Sequence, residues 1–331
     1  MKKVSFSIEN KLTFKTNKNT MMTISFLYKG DFIMKKLLAK VCAATLAVVA
    51  CFTCFAGCNK GDDYNGKVKM IDIALSSEAY GIAVNKNDPL LLTAVNAVLT
   101  TKADEIATMI TAYSAVGETA TEYVEGVVTY EESMANNDDY LVMATDAPFA
   151  PWEYKVGENW GGIDIEIGNM IAKSLQKTLA VKQTVFDAIC MAVNNGDADL
   201  GLAGLTITPA RMQTVNFSLP YYTDAYQVLV VKDNDETFKD CTTAEQIEAK
   251  LASLTAGTKV GSQTGTTGAK YITGDKNDAD GFGFNGYANL TLKPYDTHAD
   301  AVRDMVNGQV SFCIVDNAVA AQIVTQINAA A

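Results

Sequence analysis

The sequence has 331 residues, 48% of them hydrophobic, enough for two ordinary domains with sizeable cores. Its formal net charge is −11, but residues 1–57 carry nine Lys against Glu9 and Asp31, which leaves 18 basic and 36 acidic residues from 58 onward. So acidic a body repels phosphate backbones, which argues against nucleic acid as a partner. A single histidine, His298, leaves a His-based zinc centre without its ligands.

Taken in chain order, residues 1–33 read as an upstream extension. Met34 opens an export signal: Lys35, Lys36 and Lys40 form a basic region and 41–55 an uncharged apolar run too short for a comfortable membrane span. The run ends in FAGC at 55–58, which resembles the bacterial lipobox. That resemblance implies cleavage after 57, lipidation of the Cys58 sulfur and a flexible tether over 58–67. The product would be anchored to the membrane rather than spanning it. Cys42, Cys51 and Cys54 fall in the same region, while Cys190, Cys241 and Cys313 lie too far apart for a metal motif, so no cofactor is implied.

The body alternates strands and helices. Residues 68–75 and 80–84 are strand-like. Asp88-Pro89 starts a helix whose apolar residues Leu92, Val95, Val98 and Leu99 recur at helical spacing, and a second helix covers 103–113. The polar stretch 117–139 is a linker with one short helical turn. From Tyr140 the pattern gives strands at 141–145, 181–185, 199–203 and 226–232, with helices at 163–175, 186–194 and 208–213. A further set has helices at 242–251, 266–272, 299–307 and 317–327, and strands at 259–261, 289–294 and 311–315. Such alternation predicts α/β units with largely parallel sheets, two of them.

Four runs carry a more specific signal: ATDAPFAPWEY at 144–154 with GIDIE at 162–166, DLGLAGLTITPAR at 199–211, VGSQTGTT at 260–267, and EAYGIAV at 78–84. Together they resemble the family of bacterial extracellular solute-binding proteins, family 3, the polar-amino-acid receptors of ABC importers with the type 2 periplasmic-binding-protein fold. The resemblance implies two hinged lobes, a ligand in the interlobe cleft, and an ABC permease and ATPase as partners. It also implies a monomer on the outer face of the cytoplasmic membrane, with no covalent chemistry.

The residue chemistry fits that expectation. A zwitterion needs a cation for its carboxylate and an anion for its ammonium. Arg211 offers a planar fork for a carboxylate, with a surface ion pair as the alternative. Thr206, Ala203 and Gly204 lie just before it and add hydroxyl or backbone groups. Asp316 ends an apolar strand before a helix, where open α/β sheets bind ligands; a helix cap is its alternative, and the family uses the matching Asp for the ligand ammonium. Gly265, Thr266 and Thr267 begin a helix whose N–H groups could receive the ligand carboxylate, and no P-loop Lys follows them. By resemblance, Phe149 and Phe186 are the aromatic walls, Gln263 a variable pocket position and Asp146 a contact to the ligand side chain. Those two favour a polar neutral or cationic amino acid. Asp146 could instead cap its own turn.

In the family, the segment resembling 80–113 comes last; here it precedes Tyr140. A circularly permuted order is therefore expected, with lobe 2 formed by 68–79 and 223–331, lobe 1 by 80–222, and hinges near 78–81 and 221–225. Two other functions stay open: a cyclohexadienyl-type dehydratase on the same fold, for which Asp146, Glu153 and Asp316 are conceivable acids, and a ligand-presenting sensor protein.

Overall fold

A computed structural model describes residues 10–16, 20–26, 65–115, 122–276 and 281–331. The chain divides into two units, Met1–Ala56 and Gly57–Ala331. In the first, strands Asn10–Thr16 and Thr20–Phe26 pair antiparallel. The export signal, Cys58 and most of the tether lie outside the described residues. Among the described residues no helix is long and apolar enough to cross a membrane.

The second unit is built from two sheets with helices packed on them, a mixed α/β fold of two lobes. Lobe 1 holds a six-stranded sheet in the order Asn216–Phe217, Ala83–Val84, Leu200–Gly201, Tyr140–Thr145, Thr178–Gln183, Val128–Thr129. Its central pairs are parallel, and Ala83–Val84 runs antiparallel to both neighbours. Lobe 2 holds five strands in the order Leu290–Tyr295, Thr258–Gln263, Phe312–Asp316, Gln227–Lys232, Val68–Ile71. The strand ending in Asp316 and the strand Val68–Ile71 thus flank Gln227–Lys232 in one sheet, each antiparallel to it.

The central strands read as unbroken apolar runs because helices cover both of their faces. Val142 to Ala144, Leu179 to Val181, Val228 to Val231 and Phe312 to Val315 are all buried. The helices start where their caps place them. Asp88 accepts from the Leu91 N–H, and Pro89 occupies the first turn, where a missing N–H costs nothing. Thr208, Thr243, Thr266 and Thr297 cap four later helices in the same way.

Three expectations need correction. The stretch 117–139 is not only linker: Val128–Thr129 joins the edge of the lobe 1 sheet, parallel to Thr178–Gln183, and Glu132–Met134 forms a 3-10 turn. Two residues are too few to show an alternating pattern, so that strand exists only through its neighbour. The strand expected at 80–84 is split. Glu78–Tyr80 pairs with Tyr222–Ala225, whereas Ala83–Val84 belongs to lobe 1. Between them the Gly81 N–H turns aside to donate to the Leu205 carbonyl. The helix expected at 186–194 is a 3-10 turn, Phe186–Ala188, followed by helix Ile189–Asn195.

The chain passes between lobes at Glu78–Tyr80 and Tyr222–Ala225, which face each other as a two-stranded antiparallel ribbon. An aromatic cluster packs there. Trp152 lies 4.8 Å from Tyr222 and 5.1 Å from Tyr80, the latter edge-on. Trp152 and Tyr154 are therefore core residues. The carboxyl ends of strands from both sheets meet at the cleft beside this ribbon: Asp146 follows one strand, and Gln263 and Asp316 end two others.

Candidate functional site

Phe149, Phe186, Gly204, Thr206, Arg211, Gln263, Thr266, Thr267 and Asp316 line one residual cavity between the lobes, with room for little more than a water molecule. Each was named from the sequence. Of the remaining three, Asp146 and Gly265 bond directly to this set, while Ala203 packs into the lobe 1 core beside Leu205 and Val215 instead of facing the cavity.

Arg211 leaves the short helix Pro209–Met212 and donates from Nη1 to the Thr206 carbonyl at 2.8 Å and from Nη2 to the Gly265 carbonyl of the other lobe at 3.2 Å. Its guanidinium lies over the Phe186 ring, 5.0 Å from the centroid. No carboxylate lies within ion-pair distance of it among the described residues, so the surface salt-bridge alternative is not realised. Desolvation draws its pKa down, opposed by Cys190, Glu78 and Asp316.

Asp316 sits at the cap position of helix Asn317–Ala330, yet its side chain makes no cap bond. Its Oδ1 instead accepts from the Tyr80 hydroxyl at 2.7 Å and from Gln227 Nε2 at 3.0 Å. Asp146 does not cap its own turn either. Its Oδ2 accepts from Gln263 Nε2 across the cleft at 2.8 Å and from the Phe186 N–H at 3.1 Å, and its Oδ1 accepts from Gln183. Burial pushes its pKa up to about 6, against the pull of the Phe186 N–H, Gln263 and His298.

Two glycines allow the close approach. Gly204 adopts φ +52°, and a Cβ there would stand 2.6 Å from the Phe149 ring. Gly265 adopts φ +78°, and a Cβ there would stand 2.6 Å from Asp187 of the other lobe. Both conformations are open to glycine and costly for other residues.

Two side chains of the site were not identified from sequence. Glu78, on the interlobe ribbon, accepts at one oxygen, Oε2, from Thr206 of lobe 1 at 2.6 Å and from Thr267 of lobe 2 at 2.8 Å; Ser76 donates to Oε1. Burial, then the nearby Asp316 charge, raises its pKa. Its place in the EAYGIAV run was visible, but nothing local marked it as facing the cleft. His298, the first residue of helix His298–Val306, is 2% exposed, with Nε2 3.5 Å from Asp316 Oδ2 and its ring 5.6 Å from that of Phe149.

Glu153, a conceivable acid by sequence, is wholly buried behind the cleft among Thr145, Trp152 and Asp164, with its pKa raised well above the usual range, first by burial and then by Asp164. Asp164 in turn accepts from the Gly204 N–H at 2.8 Å and the Tyr221 hydroxyl at 3.1 Å. Among the described residues no group of three or more His, Cys, Asp or Glu could hold a metal ion. Cys190, Cys241 and Cys313 are free thiols.

The arrangement offers one unpaired cation, buried carboxylates and two aromatic walls inside a water-poor cleft that both lobes close. Such a site can enclose a small zwitterion.

Comparison with known proteins places the chain in a family. The profile of the bacterial extracellular solute-binding proteins, family 3, matches residues 141–320. The arginine-binding extracellular protein ArtP of Bacillus subtilis (strain 168) is 36% identical over 101 residues, covering 30% of this chain and 40% of that protein. The ABC transporter arginine-binding protein 1 of Escherichia coli (strain K12) is 26% identical over 193 residues, 58% of this chain and 68% of that protein. The chain thus spans less than half the length of the first relative. A solved ancestral arginine-binding protein bound to arginine is 31% identical with a TM-score of 0.48, over 58% of this chain and 76% of that one. With the family profile covering more than half of its length, from the first long strand of lobe 1 to the helix after Asp316, the chain belongs to the bacterial extracellular solute-binding proteins, family 3.

Proposed function

We propose that this protein is the lipid-anchored receptor of an ABC importer and captures a polar neutral or cationic amino acid between its lobes. The observation that carries the proposal is the pairing of Arg211 and Asp316 in one closed cavity. Arg211 comes from lobe 1 and has only carbonyl partners; Asp316 comes from lobe 2 with its Oδ2 facing the cleft. A ligand carboxylate displaces the Gly265 carbonyl from Arg211, and a ligand ammonium takes Asp316. Phe149 and Phe186 flank the stem. Asp146 and Gln263 meet the end of the side chain and disfavour an acidic one. The arginine-binding relatives support the amino-acid class.

Binding closes the hinge by differential contact: the closed form gains ligand bonds that the open form lacks. The test is a melting-temperature panel of the natural amino acids on protein freed of ligand by unfolding and refolding. At least one should stabilise it, by about 2.7 kcal/mol at a hundredfold excess over Kd. Silence across the panel sinks the proposal. For the anchor, a Cys58→Ser chain should lose lipid labelling and leave the membrane fraction.

In this reading the order of segments is rotated relative to the family, with the segment 80–113 standing before Tyr140 rather than last. A rearranged gene that begins at residue 117 and joins 68–115 behind Ala331 should give a folded receptor of the same ligand preference. An unfolded product from the rearranged gene would count against the rotation.

A further inference from the structure

Both ring nitrogens of His298 are buried and without a hydrogen-bond partner among the described residues. The side chain is 2% exposed, so water does not serve them freely. Its Nε2 lies within ion-pair distance of Asp316 Oδ2, at 3.5 Å, but is not aligned as a hydrogen bond. Its ring stacks at a tilt of 31° on Phe149, one wall of the cleft. Buried polar atoms in native structures nearly always find partners, and an orphaned one costs stability. Two on one imidazole, set between the cleft's carboxylates, indicate a partner that arrives with the ligand.

The kind of partner follows from donor counting. A neutral imidazole has one N–H and one lone-pair nitrogen. Asp316 Oδ2 is the acceptor nearest to hand for the N–H. That leaves a lone pair that only a donor can satisfy, in a cleft whose other spare capacity, on Asp316 and Asp146, is also for donors. An amino acid's ammonium is already matched to Asp316, so the further donor must come from its side chain.

We infer that His298 is a specificity-determining residue of the ligand site, whose imidazole accepts a hydrogen bond from an N–H donor on the ligand's side chain: a guanidinium, an ammonium or a carboxamide. This rests on the amino-acid reading above. On lobe 2, Asp316 then reads the common part of the ligand, and His298 joins Gln263 in reading the variable part.

The test uses His298→Phe, which keeps a ring against Phe149 and removes both nitrogens, and His298→Asn, which keeps a donor and an acceptor. Each is compared with the native protein for binding of L-arginine, L-lysine and L-glutamine by calorimetry, and for melting without ligand. His298→Phe should melt higher than the native protein when empty, because the orphaned nitrogens are gone. It should bind the best of the three probes at least tenfold more weakly, and His298→Asn should recover part of that loss. Binding within twofold of native by His298→Phe overturns the inference. So does a native protein that binds only amino acids whose side chains carry no N–H donor. Loss of binding together with a lower melting temperature would mark a merely structural residue and also overturn it. If no amino acid binds the native protein, the receptor reading itself fails and this inference falls with it.

Discussion

Gln263 donates from the end of a lobe 2 strand to Asp146 at the end of a lobe 1 strand, 2.8 Å across the cleft. In the proposed reading both residues meet the ligand side chain, so a ligand would replace this bond rather than simply add to it. Hydrogen bonds to charged groups contribute about 1.5–3 kcal/mol, so Gln263→Ala should shift the ligand-free balance toward the open form by roughly ten- to a hundredfold. Small-angle scattering of the ligand-free protein should then report a larger radius of gyration. An unchanged radius would show that the bond carries no closure energy.

Glu78 is the second tie between the lobes, holding Thr206 and Thr267 on one oxygen. Glu78→Gln leaves the size unchanged and weakens both bonds. The expected result is faster ligand release with a modest change in on-rate, read by stopped-flow fluorescence of the aromatic cluster at the ribbon.

Arg211→Ala removes the only cation lining the cavity among the described residues. Loss of a charge-assisted, two-pronged contact should weaken amino-acid binding by a hundredfold or more. Melting without ligand should change little, since the guanidinium bonds only to two carbonyls and is partly solvated. Unchanged affinity by calorimetry would remove Arg211 from the site.

Gly204→Ala places a methyl against Phe149 and strains a left-handed backbone. A cost of about 1–3 kcal/mol in denaturant unfolding is expected, and weaker binding should accompany it because Phe149 is displaced.

Asp164 gives stability a pH dependence. It is fully buried, and its pKa is pushed up to about 6 by desolvation, against the pull of the Gly204 N–H, Tyr221 and Glu153. A carboxyl whose folded pKa is raised binds its proton more tightly when folded. Its contribution is therefore full below about pH 4 and lost as pH rises through 6, at most about 3 kcal/mol. Melting temperatures of Asp164→Asn between pH 4 and 7 should fall less steeply than those of the native protein. Asp146, also near 6, keeps part of the slope.

Sequence alone determined the two α/β units and most of their elements, and the resemblance of four runs to a known family named each residue that lines the cavity. Those features are local. Apolar runs mark strands covered on both faces, Asp88-Pro89 and the capping threonines mark helix starts, and the runs around Arg211 and Gln263 carry their residues within a few positions of each other. What joins segments distant in sequence was decided by tertiary structure. Val128–Thr129 is a strand only because Thr178–Gln183 lies beside it. Glu78 enters the site because the ribbon with Tyr222–Ala225 brings it between two threonines 128 and 189 residues away. His298 comes near Asp316 because Leu290–Tyr295 and Phe312–Asp316 both run parallel to Thr258–Gln263, which lies between them, so both strands end on the same side of the sheet. A side chain's neighbours across a cleft depend on how two separately folded sheets meet, and no spacing within either segment encodes that.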